Sequence, residues 1–180
     1  MRADTLDDAI RLQNSTGYGL TGGLHSLDEK EIAYWRNRVE VGNAYINRGI
    51  TGAIVERQSF GGWKNSSIGS GAKAGGPNYV GQQGTWTDGD LSVRPNISVN
   101  PTVARLLRDL ESRFGAALTD DDRTWLWRAA ELDAVAWRDE FGVEHDRTAL
   151  IAESNVFRYR PLIEPLNVRV GDNYALRDLL

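Results

Sequence analysis

Residues 5–47, TLDDAIRLQNSTGYGLTGGLHSLDEKEIAYWRNRVEVGNAYIN, switch repeatedly between two hydrophobic periods. In 5–16, Leu6, Ile10 and Gln13 share one helical face, Asp7 and Asp8 suit the electropositive start of a helix, and Gly17 marks a stop. Leu20–His25 is short and apolar beside a glycine pair, the pattern of a strand. Ser26 and Glu29 stand at capping-box spacing. They predict a second helix running to about Glu40, with Ile32, Trp35 and Val39 on one side and Gly42 as the stop. Asn43–Asn47 reads as the next strand. Helix, strand, helix, strand is the alternation of an α/β layer, and α/β is the fold class expected.

Outward from this core the pattern changes. Residues 49–89 carry 11 glycines in 41 positions and show no period, which is long for a loop without a function. Phe60, Trp63, Tyr79 and Trp86 punctuate it, favouring a loop docked on something over a free linker. Beyond Pro101, Val103, Leu106, Leu107, Leu110 and Phe114 fall at helical spacing and Gly115 closes the run. Thr119 and Asp122 cap a further helix over 120–140, with Trp125, Ala129, Leu132 and Ala136 on one face and Gly142 after it. Asn155–Arg160 alternates as a strand would and stops at Pro161; Leu166–Val170 reads as another. Tyr174–Leu180 begins a helical pattern that runs out uncapped, so the pattern reads as truncated. Residues 1–80 have a net charge of +1 and residues 81–180 a net charge of -5, with no lysine, a shift that suggests two units joined near 81–100.

Composition removes several function classes. There is no cysteine, which excludes a disulfide scaffold, a thiolate metal site and a cysteine nucleophile within these 180 residues. With a net charge of -4 and no basic stripe, the chain is not expected to bind nucleic acid. No apolar run reaches the roughly 18 residues of a membrane-spanning helix, and the first residues lack the apolar segment of a secretory signal, so a cytoplasmic location is expected. His25 and His145 have no partner at ligand spacing, so no metal site is expected. Asp120–Asp122 complement a helix N-terminus, and Ser66–Ser67 lack a neighbouring base. Arg158 and Arg160 could fork an anion, but they also suit the solvated face of a strand.

The glycine-rich loop is where chemistry could sit. Gly61-Gly62, Gly69, Gly71 and Gly75-Gly76 allow backbone amides to approach a ligand without a Cβ in the way, and successive amides of this kind form an anion-binding nest. Lys73 adds a positive charge beside them. The alternative is a surface loop whose glycines only serve turns. Neither a Walker A loop nor a complete dinucleotide fingerprint is present.

Tyr18-Gly19-Leu20-Thr21, Ile46-Asn47 and Ser59-Phe60-Gly61-Gly62, at the spacing they have here, resemble the C-terminal part of the aldehyde dehydrogenase catalytic domain. Residues 71–80, GAKAGGPNYV, resemble more particularly the 1-pyrroline-5-carboxylate dehydrogenases, which are L-glutamate γ-semialdehyde dehydrogenases and often form the C-terminal part of the bifunctional proline utilization A flavoenzymes. Residues 125–170, with AVAWRDEFGVEHD and ESNVFRYRP, are similar to the C-terminal extension of longer members.

This resemblance implies a chemistry in which a cysteine thiolate attacks the semialdehyde, hydride passes to NAD or NADP, and water releases glutamate in proline catabolism. It implies that Phe60 lines the aldehyde pocket and that the amides of Gly75 and Gly76 hold the substrate's α-carboxylate. The family's cysteine, its general-base glutamate and its cofactor domain lie upstream of the matched part. No catalytic, cofactor-binding or metal residue is therefore assigned here, and the chain is expected to be an inactive fragment of an oligomeric enzyme, binding no cofactor alone. Two local departures stand out: Ser59 replaces the usual proline before Phe60, and no substrate-stacking aromatic follows Val80. The expected map is 1–80 as the C-terminal part of the catalytic domain, with the aldehyde-anchor loop at about 58–80, then 81–100 as a linker and 101–180 as an α/β extension. Strand 43–47 is expected to be an edge strand left unpaired, with part of the layer's sheet partners missing. The competing reading is a non-catalytic lid or assembly module of a larger dehydrogenase, with Leu106, Leu110 and Phe114 exposed.

Overall fold

The computed structural model describes residues 1–69, 71–87, 97–162 and 165–179. Residues 88–96 of the expected linker lie outside these. The chain is a mixture of helix and strand in two compact units, Met1–Trp86 with Asp146–Phe157, and Thr87–His145 with Arg158–Leu180. Among the described residues no helix is long and apolar enough to cross a membrane, and no cluster of three His, Asp or Glu side chains could hold a metal.

The first unit opens with α1 (Leu6–Asn14), β1 (Tyr18–Gly19), β2 (Thr21–Leu24), α2 (Glu29–Arg36) and β3 (Asn43–Ile46), the alternation that its apolar spacing predicts. Thr5 caps α1 by accepting from the Asp8 amide. α2 begins later than the Ser26/Glu29 spacing implies, because Asp28 takes the cap and accepts from the Lys30 amide at 2.7 Å. Ser26 instead donates to Glu31 and accepts from the Asp28 amide, closing the turn before the helix. α2 also ends at Arg36 rather than near Glu40, and Val39 still reaches the core from the following turn.

β2 and β3 pair in parallel, Thr21 opposite Asn43 through Leu24 opposite Ile46, so strand 43–46 is paired along one side rather than left unpaired as expected, and in this two-stranded sheet it is still an edge. Ile10, Trp35, Val39 and Val41 form the core beneath them, with Leu6, Leu24, Tyr34 and Ile46 packed around it. The buried Trp35 indole donates to Gln13 at 2.9 Å, so this large ring enters the core without an unmet N–H.

In the second unit, α3 (Pro101–Phe114) and α4 (Asp120–Ala136) bury Leu107, Leu118, Leu126 and Ala130. The Thr119/Asp122 capping box is present, and a wider π turn over Trp137–Phe141 continues α4. The later expectations shrink. β5 (His145–Asp146) and β6 (Val156–Phe157) hold two residues each, 166–170 is not strand, and the predicted terminal helix is one 3₁₀ turn at Leu176–Asp178. Alternation alone does not make a strand where no neighbouring backbone offers a ladder.

Candidate functional site

The glycine-rich loop is held against the start of β3 by backbone approach. An added Cβ at Gly42 would lie 1.8 Å from the Gly61 carbonyl oxygen, and one at Gly62 would lie 2.4 Å from the Ser66 carbonyl oxygen. Only a missing side chain permits that approach. β4 (Trp63–Lys64) then pairs antiparallel with β1, Gly19 opposite Trp63. The Lys64 ammonium reaches the carbonyls of Asn14 and Thr16 at 2.6 and 3.1 Å and the Glu40 carboxylate at 2.5 Å, a cationic cap on the C-terminal end of α1.

Asn43 stitches the loop to the strand. Its Nδ2 donates to the Ser59 carbonyl at 2.9 Å, and its Oδ1 accepts from the Gly61 amide at 3.1 Å. Phe60 lies between those two contacts. It forms a two-bond antiparallel bridge with Ala74, each amide donating to the other's carbonyl at 3.0 Å. The two ends of the loop, at 60 and 74, are thereby tied into a closed bow.

Lys73 brings its charge to Gly61, one of the glycines that the sequence singles out, but to its carbonyl rather than into the open beside Gly75. Its ammonium turns back into the loop and donates to the carbonyls of Gly42 and Gly61, the latter at 3.0 Å, and to Asn43 Oδ1 at 3.3 Å. Burial pushes this ammonium down to about 8.

After the bridge, Lys73–Gly76 forms a turn in which the Gly76 amide donates to the Lys73 carbonyl at 2.8 Å and Gly75 takes φ +72°. That conformation suits the third position of a type II turn, where glycine is favoured. Of the two amides expected to grip an anion, the Gly76 N–H is therefore committed to the turn. The Gly75 N–H is exposed, has no acceptor among the described residues, and no atom lies within 4 Å of where a Cβ would stand. Ser59 Oγ faces the same turn, 3.4 Å from the Gly75 carbonyl.

The helix start that follows β2 is the kind of place that can hold a phosphate. Here it is filled by the Asp28 carboxylate and flanked by Glu29 and Glu31, which repel phosphate. Arg158, the other candidate anion group, pairs with Glu144 at 3.4 Å. Sequence reasoning missed Asn43 as the loop's anchor. Its signal was an amide side chain opening a strand directly after a glycine.

Residues 1–83 match the aldehyde dehydrogenase family. Over 81 residues the chain is 51% identical to the bifunctional protein PutA of Rhizobium meliloti, covering 45% of this chain and 6% of that protein. Over 79 residues it is 46% identical to 1-pyrroline-5-carboxylate dehydrogenase of Geobacillus thermodenitrificans, covering 44% of this chain and 15% of that one. The structure of proline utilization A from Corynebacterium freiburgense superposes on 90% of this chain, and on 15% of its own, with a TM-score of 0.77 and 60% identity. The chain thus spans a small part of the length of each relative.

Proposed function

We propose, from the premise that residues 1–83 are aldehyde dehydrogenase family sequence, that this chain supplies the aldehyde-anchor loop of a larger L-glutamate γ-semialdehyde dehydrogenase. That enzyme oxidises the semialdehyde formed from 1-pyrroline-5-carboxylate to glutamate in proline catabolism. The names of the two sequence relatives and the extended match to a proline utilization A structure support this reading.

Within it, residues 1–80 are the catalytic-domain segment and 101–180 the extension. NAD or NADP, the nucleophilic sulfur and the oligomeric assembly belong to the remainder of the enzyme. What this chain contributes is binding and orientation. Phe60, fixed by its bridge to Ala74, forms an apolar wall for the aldehyde chain. The open Gly75 amide donates to the α-carboxylate, and Gly76 closes the turn that presents it. A single charged acceptor on a preset amide favours substrates carrying a carboxylate over plain aldehydes. The observation that carries the proposal is this outward Gly75 N–H in a turn that the Phe60–Ala74 bridge and a buried lysine hold in place.

The test is a chimera in which residues 1–83 replace the matching segment of the Geobacillus enzyme. It is expected to oxidise glutamate semialdehyde with cofactor reduction. Gly75→Val in the chimera should raise KM for the semialdehyde about tenfold or more while leaving propanal unaffected, the loss of one charged hydrogen bond. Equal effects on both aldehydes would refute carboxylate anchoring. A folded, cofactor-binding chimera without activity would refute the assignment itself.

The second reading, an assembly or lid role for the second unit, is favoured by one observation. On α3, Leu106 is 52% and Phe114 44% exposed, an apolar face uncovered in the described chain.

A further inference from the structure

The Glu153-Ser154-Asn155 triplet lies far outside residues 1–83, yet Asp146–Phe157 belongs to the first unit. Each of the three side chains has a partner there. Glu153 bridges two arginines, Oε2 to Arg48 at 3.5 Å and Oε1 to Arg57 at 3.4 Å. Asn155 Oδ1 accepts from Gln58 Nε2 at 2.6 Å, while its Nδ2 donates to Thr148 Oγ1 and Glu153 Oε1. Ser154 donates inward, to Asp146 Oδ2 at 2.9 Å.

Asp146 builds the platform for the triplet. Its carboxylate also accepts from Thr148 Oγ1, the Ala149 amide and the Asn155 amide, drawing 146–155 into a closed turn. On the other side, Gln58 Oε1 accepts from the Ile54 amide at 2.8 Å, and the amides of Arg57 and Gln58 both donate to the Ile54 carbonyl. Residues 54–58 are thus a compact knot whose last member touches Asn155. Two residues further along stands Phe60.

We propose that Glu153 and Asn155 are positioning residues for the anchor loop: they clasp Arg48, Arg57 and Gln58 and so fix the chain that delivers Phe60 to its bridge with Ala74. The extension is then a working part of the substrate site, although it supplies no group to the substrate. Asn155 contributes most, through the short uncharged contact to Gln58; the two longer arginine contacts of Glu153 limit the lateral swing of 48–57. The functional consequence rests on the anchor-loop reading above, whereas the mechanical coupling does not.

Amide hydrogen exchange on the full 180-residue chain tests the coupling. The Phe60 and Ala74 amides report the bridge, and the Asn47 amide, donating to the Leu24 carbonyl, reports the core pair β2–β3. Asn155→Leu and the milder Glu153→Gln should each speed exchange at Phe60 and Ala74, by about tenfold for Asn155→Leu, with Asn47 unchanged. Ile10→Val, which loosens the core without touching the clasp, should speed all three amides together. Should Asn155→Leu fail to fold, Glu153→Gln and Gln58→Leu, the latter removing the clasp from the other side, give the same readout. Equal acceleration at Asn47, or no acceleration at Phe60 and Ala74, overturns the proposal. No ligand is involved, so this result is independent of whether the loop binds an aldehyde. In the Geobacillus enzyme carrying the whole chain in place of its matching segment, Asn155→Leu should raise KM for the semialdehyde and leave kcat unchanged. A fall in kcat alone would overturn the positioning role.

Discussion

Lys73 makes the stability of the first unit depend on alkaline pH in a direction opposite to that of most lysines. Its ammonium is held at about 8 by burial, while in the unfolded chain it keeps its proton to the ordinary 10.5. Between those values the folded chain binds fewer protons than the unfolded one, so stability rises with pH across that window. Below pH 8 the cost of the buried charge is present in full. A shift of that size corresponds to at most about 3 kcal/mol. The fold does not need the charge, because a neutral amine still offers two N–H donors to the Gly42 and Gly61 carbonyls.

Urea unfolding followed by tryptophan fluorescence, at pH values from 7 to 11, measures this when wild type is compared with Lys73→Met. Other lysines and tyrosines titrate in both proteins and cancel in the difference. The difference should be flat below pH 8, move in favour of wild type by up to about 3 kcal/mol between 8 and 10.5, and then level off. Parallel curves throughout would refute the argument that this ammonium is desolvated in the folded chain.

The close approach of loop and strand gives a second prediction. Gly42→Ala must displace the Gly61 backbone and should cost about 3 kcal/mol, whereas Gly49→Ala, with no atom within 4 Å and an unstrained φ, should stabilise by about 0.5 kcal/mol; denaturant midpoints decide both. Asp146 is held down to about 2, chiefly by the Ala149 amide and Ser154, so its turn should survive at pH 3 and be lost as pH falls through 2, read by exchange at the Ala149 and Asn155 amides. In the second unit, Arg128 is 5% exposed and pairs through one nitrogen with Glu131, while its Nε and Nη2 have no acceptor among the described residues. Arg128→Met should therefore raise stability by about 1–2 kcal/mol, and a loss of stability in thermal unfolding would contradict it.

Much of the fold was legible where contacts are local. The apolar spacing of Leu6, Ile10, Trp35 and Val39 exposes the α/β alternation, and Thr119/Asp122 announces α4. The start of α2 was misplaced because two capping residues, Ser26 and Asp28, compete within three positions, and the nearer one to the helix wins. The candidate site was legible as a glycine-rich loop with Phe60 in it, and its internal wiring was not. The Phe60–Ala74 bridge, the Gly42–Gly61 approach and the Asn155–Gln58 contact join positions that share no period. A lysine in a glycine-rich segment reads as solvated, and nothing local announces that Lys73 turns inward.

The clasp also has a consequence in time. Gln58 and Asn155 stand 97 residues apart. A ribosome adding roughly 5–20 residues per second leaves an interval of about 5–20 s between them. For that interval the nascent chain carries a finished β2–β3 pair and a glycine-rich bow whose fastening has yet to be translated. Exposed Ile54, Val55 and Ile68 make it an apolar stretch open to a chaperone during synthesis.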